Sequence, residues 1–295
     1  MISIQLQGGL GNQMFQYACG RSIAFKLKTE LFLDTTQLQN YITGYTSRSL
    51  ELGIFNIKYF QASNRNTKIY KPLFYRIANV LAFKVGLRGI QTSKYFVEKG
   101  YNYNAAIDKV AKDCSLMGYW QSFRYFENIE SLLREEFQFQ RILDDDNQNR
   151  LNRINLENSI SLHIRRSDYV NNKSHDIHGT CSIEYYKKAV ENIASKVSNP
   201  SFFIFSDDIE WAYTKLNFNY PCVFVAGNNG AKSYIDMQLM SHCKHNIIAN
   251  SSFSWWGAWL NSNPNKIVIA PKQWFAEEKM NLQTNDLIPN VWIRL

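Results

Sequence analysis

The sequence contains no long apolar run and no patterned cysteines, and each absence excludes a class of protein. Nowhere in its 295 residues does a run approach the roughly 18–20 apolar residues of a membrane-spanning helix. The first residues lack the basic and long apolar regions of a secretory signal peptide, so they predict the first strand of a fold. The five cysteines are scattered and form no C-x-x-C pair, which indicates a reducing compartment and free thiols rather than a disulfide framework.

Positive charge is concentrated in one segment. The net charge of +8 favours an anionic partner such as nucleic acid, phosphate or an acidic membrane surface. Residues 61–100 hold eight Lys and Arg residues and one acid, Glu98, so the rest of the chain is nearly neutral. This segment matches no nucleic-acid recognition motif, and a basic nucleic-acid-binding protein is therefore the weaker alternative.

The hydrophobic pattern predicts an α/β protein. Residues 2–34 predict a strand, a glycine loop, a helix and a second strand, which favours parallel pairing. Residues 35–155 are rich in Tyr, Phe, Asn and Lys and predict helices with long loops. Beyond them strands and helices alternate, as in a parallel sheet covered on both faces. The predicted strands there are Ser159–Ile164, Phe202–Ser206, Cys222–Ala226, Asn246–Ala249 and Lys266–Ala270.

The first candidate motif is the glycine loop at residues 8–13. Such a loop between a strand and a helix lets backbone N–H groups approach a phosphate. The dinucleotide-binding fingerprint would need a glycine at position 14, where Met14 stands, so a dinucleotide-dependent oxidoreductase is disfavoured. A tight turn that needs small residues explains the loop equally well.

The second motif, residues 161–169, follows the carboxyl end of a predicted strand, where open α/β sheets bind ligands. Adjacent arginines point in different directions, so Arg165 and Arg166 have different roles. One can clamp a diphosphate, and the other can pair with Asp168. A surface cluster of ion pairs is the alternative.

The third motif, Asp207-Asp208, also ends a predicted strand. One carboxylate there can accept the N–H groups of guanine, and the alternative is a cap on the following helix. With two acids, both interpretations can hold.

The fourth motif, residues 250–259, runs from a strand through serines into a tryptophan-rich helix. Serine hydroxyls and free N–H groups at a helix start form an anion site. Ordinary capping and a tryptophan-rich core are the alternative.

Two patterns of Asp and His residues resemble metal-binding motifs, but neither has the context or spacing of a known metal site. Asp144-x-Asp146 follows no strand and has Asn and Gln neighbours, so a solvated turn is expected. The spacing of His175, Asp176 and His178 fits no zinc template, and a polar loop near an acceptor pocket is expected instead.

Together these motifs make the sequence similar to the bacterial α-1,2-fucosyltransferases of glycosyltransferase family 11. Ser167 stands where a glycine is common in this family. The matching segments are Gln7–Tyr17, Gly118–Ser122, His163–Tyr169, Ser206–Asp208 and Asn250–Gly257.

The resemblance implies a GT-B-like fold of two facing Rossmann-like domains with parallel sheets. Residues 1–155 would form an N-terminal α/β domain on the acceptor side, with its glycine loop near the donor phosphates. Residues 156–295 would bind GDP-fucose. The implied reaction is an inverting, metal-independent transfer of L-fucose from GDP-β-L-fucose to the 2-OH of a terminal galactose in a glycan. No cofactor is implied. An α-1,6-type transferase with the same donor is the alternative.

The resemblance and the motif chemistry together assign candidate residues. Arg165 and Asp168 are the catalytic candidates, and His163 and Asp208 are expected to read guanine. The general base is either Asp168 or a residue of the 175–178 loop. The donor-binding candidates are Gly9, Gly11, Asn12, Gln13, His163, Arg165, Arg166, Asp207, Asp208, Asn250, Ser251, Ser252, Phe253 and Ser254. The acceptor-side candidates are Trp120, Gln121, Tyr169, His175, Asp176 and His178.

The sequence start and the basic segment give an expectation of location. A bacterial cytoplasmic enzyme acting on glycan precursors, such as those of O-antigen biosynthesis, is expected. Residues 68–88 interleave basic and aromatic residues, which suits peripheral contact with an anionic inner membrane near lipid-linked acceptors. An ordinary solvated amphipathic helix is the alternative.

Overall fold

A computed structural model describes residues 1–38, 48–61, 94–166 and 179–295. The chain forms two compact units. Unit one comprises Met1–Gln138 with Asn285–Leu287, and unit two comprises Phe139–Thr284 with Ile288–Leu295. Each unit is built on one parallel sheet with helices, which confirms the α/β, GT-B-like prediction at the level of the two units.

Unit one contains a five-stranded parallel sheet in the order β3-β2-β1-β5-β4. Strand β1 lies between β2 and β5, so the winding of the chain reverses between β1 and β5. At such a switch point, open α/β sheets bind ligands outside the carboxyl ends of their strands. The strands are β1 Ile2–Gln5, β2 Leu31–Asp34, β3 Phe60–Gln61, β4 Tyr95–Val97 and β5 Cys114–Met117, and the helices are α1 Leu10–Lys26 and α2 Glu130–Glu136.

Helix α1 packs closely on this sheet. A Cβ atom at Gly20 would lie 2.8 Å from Leu31 Cδ1 and 3.0 Å from Ile4 Cγ2, so a larger residue would require these side chains to shift. Helix α1 begins after the four residues that follow β1, so its start lies at the carboxyl edge of the sheet.

Unit two contains a six-stranded parallel sheet in the order β11-β10-β9-β6-β7-β8. Here β6 lies between β9 and β7, so the winding reverses between β6 and β9. The strands are β6 Asn158–Ile164, β7 Pro200–Ser206, β8 Cys222–Val225, β9 His245–Ile247, β10 Val268–Ala270 and β11 Ile293–Arg294. Its helices in the described residues are α3 Asp145–Leu156, α4 Ile183–Ala194, α5 Ile209–Lys215, α6 Tyr234–His242, α7 Ser252–Leu260 and α8 Glu278–Asn281.

The core of unit two explains its apolar runs. Strand β7 is buried on both faces from Phe202 to Phe205, as is typical of a central parallel strand. Trp255 and Trp256 of α7 are fully buried, with ring centroids 5.0 Å apart. Gly257 lets α7 approach Met240 of α6, because a Cβ atom there would lie 3.0 Å from Met240 Cβ. The tryptophans of the fourth motif therefore belong to the core.

The structure differs from the sequence expectation between residues 95 and 156. Strands β4 and β5 lie where helices with long loops were expected. The unit boundary falls at Gln138–Phe139 rather than at residue 155, because α3 packs with unit two: Asn147 exchanges amide hydrogen bonds of 3.0 Å with Asn228. Asp144 caps α3 by accepting the Asn147 N–H at 3.1 Å, so the acidic pattern begins a helix.

No helix in the described ranges is long and apolar enough to cross a membrane. The segment 68–88 lies outside the described residues. Its proposed membrane contact therefore stays a prediction.

A buried acid in unit two predicts a pH-dependent stability. Asp236 of α6 accepts a 2.8 Å hydrogen bond from Asn228 Nδ2. Burial raises the pKa of Asp236 from 3.8 to about 7, although the Asn228 hydrogen bond and the charge of Arg150 act in the opposite direction. Between these two values the folded protein holds a proton that the unfolded chain releases, so stability falls as pH rises through this window.

We therefore expect Asp236→Asn to remove part of this pH dependence. The wild type should lose on the order of 3 kcal/mol of unfolding free energy across the window through Asp236 alone. Urea unfolding at about pH 4.5 and about pH 7.5 measures the difference between wild type and variant. Identical pH slopes for the two proteins would contradict the shifted pKa.

Candidate functional site

Three of the sequence motifs meet at one edge of unit two. Strands β9, β6 and β7 are parallel neighbours, with Leu162 opposite Ile247 and Ile164 opposite Ser206. Their carboxyl ends therefore lie side by side. The segments that follow them are residues 163–166, 206–208 and 250–254, and all three contain predicted donor-binding residues.

Asp207 organises the loop after β6. Its Oδ2 lies 3.2 Å from Arg165 Nη1, and its Oδ1 accepts the backbone N–H of Arg166 at 2.8 Å. The Arg165 side chain is 24% exposed. A guanidinium held by a carboxylate at a strand end, and still open to solvent, is pre-organised to meet an anion.

Arg166 points toward α5. Its guanidinium carbon lies 4.0 Å from the centroid of the Trp211 ring, a cation–π contact. Its Nε is 3.6 Å from Asp208 Oδ2, which is too long for a hydrogen bond. The two arginines thus have different neighbours, as the sequence predicted. Asp168, the predicted partner of the pair, lies outside the described residues, and the partners seen are Asp207 and Asp208.

Asp208 caps helix α5. Its Oδ1 accepts the Trp211 N–H at 3.2 Å, and its own N–H donates to Ser206 Oγ at 2.9 Å. The capping interpretation therefore holds for Asp208, and Asp207 is the acid that pairs with Arg165. Asp208 Oδ2 is not used by the cap.

His163 is a buried and unpaired group at this edge. Its side chain is 5% exposed, its Nδ1 has no hydrogen-bond partner, and its ring centroid lies 5.8 Å from that of Phe253. Burial lowers the pKa of His163 to about 3, and the charge of Arg165 acts in the same direction. The imidazole is therefore neutral near pH 7 and offers one donor and one acceptor.

The start of α7 is partly used by its own caps. Ser251 Oγ accepts the Phe253 N–H at 3.3 Å, and Ser254 Oγ donates to the Ser251 carbonyl at 3.4 Å. Asn250 donates to the carbonyls of Gly179 and Trp274 at 3.3 and 3.1 Å. Asn250 therefore anchors the loop, whereas Ser252 and Phe253 are half-buried at the helix start.

The glycine loop of unit one has a role in folding. Gly8 has φ +77°, and a Cβ atom there would lie 2.5 Å from Asn12 Nδ2. The fully buried Gln13 donates to the carbonyls of Gly8 and Ser49 at 3.0 and 2.9 Å and accepts the Glu51 N–H at 2.9 Å. Gln13 was predicted to bind the donor, but its amide is occupied by these three backbone groups.

A carboxylate already lies at the start of α1. Glu51 Oε2 accepts the Leu10 N–H at 3.0 Å, so this helix terminus does interact with an anionic group. Burial raises the pKa of Glu51, and the charge of Arg48 and the Leu10 N–H act in the opposite direction. The predicted approach of donor phosphates to Gly9 and Gly11 would bring them close to this acid. No motif in the sequence indicates that Arg48 and Glu51 lie near the start of α1.

Two acceptor-side candidates lie next to this loop. Gln121, which follows β5, donates to Asn12 Oδ1 at 2.8 Å across the ends of β1 and β5. Trp120 is fully buried against Tyr125, with ring centroids 5.3 Å apart, so its ring is not a surface for stacking. Its backbone N–H donates to Glu98, which the sequence suggested only as the one acid of the basic segment and not as a site residue.

Other predicted residues lie outside the described part of the chain. These are Asp168, Tyr169, His175, Asp176 and His178, all within residues 167–178. Within the ranges that the structure describes, no group of three or more His, Cys, Asp or Glu side chains could hold a metal ion.

Two α/β units with parallel sheets define a GT-B-like fold, with arginine, histidine and serine residues at the strand ends of the second unit. The model of glycosyl transferase family 11 matches residues 1–295, and the chain belongs to that family. An α-1,2-colitosyltransferase of Escherichia coli is 37% identical over 100% of this chain and 99% of its own length. The E. coli O-antigen biosynthesis glycosyltransferase WbnK is 34% identical over 98% of this chain and 99% of its length.

More distant relatives match in part or in fold. The galactoside α-(1,2)-fucosyltransferase 1 of Leontocebus fuscicollis is 26% identical over 49% of this chain and 42% of its own. The structure of POFUT1 in complex with GDP-fucose covers 91% of this chain and 97% of that chain with a TM-score of 0.50 at 12% identity. An Arabidopsis thaliana FUT1 mutant in complex with GDP covers 95% and 72% with a TM-score of 0.51 at 8% identity. At these identities the two structures support the fold alone.

Proposed function

We propose that this glycosyltransferase moves L-fucose from GDP-β-L-fucose to the 2-OH of a terminal galactose, with inversion and without a metal. The observation that carries the proposal is the Arg165–Asp207 pair at the strand ends of a family 11 chain. The α-1,2 linkage is supported by the names of the E. coli colitosyltransferase and of the Leontocebus enzyme. In this proposal unit two binds the donor and unit one binds the acceptor.

Departure of GDP is the step that the donor residues assist. Negative charge grows on the diphosphate as the bond to the sugar breaks, and fixed cations and dipoles stabilise it. Arg165 supplies the cation, and the start of α7 at Ser252 supplies a positive helix end. Asp207 is a positioning residue, because it holds the guanidinium and the loop N–H together. The sugar passes through an oxocarbenium-like transition state, as in other glycosyl transfers.

Guanine recognition is assigned to His163 and Asp208. A neutral imidazole can hydrogen-bond a base without a charge penalty, and Asp208 Oδ2 remains for the guanine N–H groups while Oδ1 caps α5. The acceptor hydroxyl loses its proton to Asp168 or to a residue of the 175–178 loop. Both lie outside the described residues, and both assignments stay predictions.

The sugar of the donor has a second candidate. The E. coli relative at 37% identity is a colitosyltransferase, and colitose is fucose without its 3-hydroxyl. A transferase of this kind could use GDP-colitose with the same nucleotide contacts. O-antigen precursors in a bacterial cytoplasm are the proposed setting, in keeping with WbnK.

A donor screen tests the proposal. GDP-fucose and GDP-colitose are each incubated with β-galactosides such as lactose, with EDTA present. We expect transfer of fucose in EDTA and an α-1,2 linkage in the product by NMR. Preference for GDP-colitose would show that the donor sugar is colitose rather than fucose. An α-1,6 product would show that the α-1,2 linkage is wrong. Strict dependence on added metal, or no turnover of any galactoside, would overturn the proposal.

A further inference from the structure

Unit one contains a buried acid that the proposed function does not use. Glu98 follows β4, and its Oε2 accepts the N–H groups of Tyr119 and Trp120 at 2.7 and 2.9 Å. Its other oxygen, Oε1, is buried and has no hydrogen-bond partner. No ion pair joins Glu98 to a cation in the parts of the chain that the structure describes. A buried carboxylate oxygen without a hydrogen-bond partner lowers the stability of the fold, so its presence at this position calls for an explanation.

A second unpaired group lies beside it. The indole Nε1 of Trp120 is buried and donates to no partner, although buried tryptophans usually find one. The residue has φ +57°, a conformation that aromatic residues rarely adopt. Phe96 and Tyr125 hold the ring at centroid distances of 6.0 and 5.3 Å. The indole N–H is therefore held rigidly in place.

Gly118 brings the acid and the indole together. A Cβ atom at this position would lie 2.4 Å from Glu98 Cβ and 3.1 Å from Trp120 Cε2. Both side chains thus pack against the same glycine, directly after β5. This is the carboxyl edge of the sheet, next to the switch point between β1 and β5.

The chemistry of the two groups limits what they can bind. One is a carboxylate acceptor and the other an N–H donor, and a hydroxyl group can satisfy both at once. A phosphate does not fit, because a carboxylate repels it. Among the residues that the structure describes, the titratable side chains that interact electrostatically with Glu98 are Cys19, Tyr101 and Tyr125, and none of these is cationic. Burial raises the pKa of Glu98 to about 7, which its two backbone N–H bonds oppose.

We propose that Glu98 and Trp120 bind one hydroxyl group of the acceptor sugar, which donates to Glu98 Oε1 and accepts from Trp120 Nε1. The inference rests on the proposed function, because it takes the acceptor of unit one to be a sugar. In this proposal Glu98 contributes to acceptor binding and has no role in donor binding, which is assigned to residues of unit two.

Replacing the acid by its amide tests the proposal. In Glu98→Gln one oxygen still accepts the two backbone N–H groups, but an NH₂ group faces the acceptor hydroxyl. We expect KM for lactose to rise about 10- to 100-fold while the Kd for GDP-fucose, measured by calorimetry, stays unchanged. Glu98→Asp keeps the carboxylate but on a shorter side chain, so its KM for lactose should lie between those of wild type and Glu98→Gln. Asp236→Asn neutralises a buried acid of unit two and serves as the control, with an unchanged KM.

Deoxy acceptors identify the hydroxyl. One deoxy-lactose should lose about 10- to 100-fold in kcat/KM with wild type and nothing further with Glu98→Gln, as a double-mutant cycle requires. Equal losses with both proteins for every analogue would show a structural role for Glu98, filled by water, and overturn the proposal.

Binding of lactose by saturation-transfer NMR needs no turnover, so it separates this proposal from the proposed reaction. Lactose bound by wild type and lost in Glu98→Gln supports the subsite even if fucose is not transferred. Equal binding by both proteins, or no binding by either, overturns it.

Discussion

Arg165→Ala should lower kcat for fucosyl transfer by about 100- to 1000-fold while leaving the fold intact. The guanidinium is the fixed cation proposed to stabilise the departing diphosphate, and loss of one such group costs on the order of 3 kcal/mol in the transition state. The pair with Asp207 is only partly exposed, so its loss should lower the unfolding free energy by about 1–2 kcal/mol, which leaves the protein folded. Single-turnover kinetics and urea unfolding measure the two effects separately.

Two further variants sharpen this result. Arg153→Ala removes an exposed arginine of α3, which pairs with Glu157 just after that helix, and should leave kcat unchanged. Asp207→Asn retains Arg165 but loosens its position, so its loss of kcat should be smaller than that of Arg165→Ala. Substantial transfer by Arg165→Ala would remove Arg165 from the donor site.

The fold of unit two could be predicted because its strands have a local signature. Central parallel strands buried on both faces are apolar without interruption, as in Phe202–Phe205, and the next helix starts at a polar cap such as Asp208. The amino-acid pattern alone therefore placed the motifs at the ends of β6, β7 and β9 on one edge of the sheet. The hydrogen-bond pairing of these strands confirms that placement.

Unit one was predicted correctly over β1, α1 and β2, but β4 and β5 resisted prediction because their order arises from pairing distant in sequence. Strand β5 is four residues long and includes Ser115, and β4 is only three residues long, so neither produces a clear pattern. Glu98 acquires its partners from residues 119 and 120, and nothing near it in the sequence indicates burial. The acid that holds Arg165 is Asp207, which is likewise far along the chain from residue 165.

The glycine loop shows why a motif does not by itself give a role. Residues 8–13 fit both a phosphate loop and a tight turn, and local sequence cannot separate the two. The hydrogen bonds of Gln13 favour the tight turn, because Ser49 and Glu51, which come from a distant segment, occupy its side-chain amide. A family motif of this kind can therefore preserve the shape of the site edge without contacting the ligand.

Gln13→Leu should consequently destabilise the fold rather than weaken donor binding. The change removes the partner of three partly buried backbone groups: the carbonyls of Gly8 and Ser49 and the N–H of Glu51. At about 1 kcal/mol for each of the three lost hydrogen bonds, the unfolding free energy should fall by roughly 3 kcal/mol. Urea unfolding measures the loss, and calorimetry on the folded protein should give a GDP-fucose Kd close to that of wild type.

The matched control is Gln148→Leu, because Gln148 bonds only an exposed neighbour, Asn152, on α3. Its unfolding free energy should change by less than about 0.5 kcal/mol. If Gln13 contacted the donor instead, Gln13→Leu would weaken GDP-fucose binding at nearly unchanged stability. These opposite outcomes separate the two roles. A buried amide with three backbone partners can bind a ligand only if it breaks the hydrogen bonds that hold the loop.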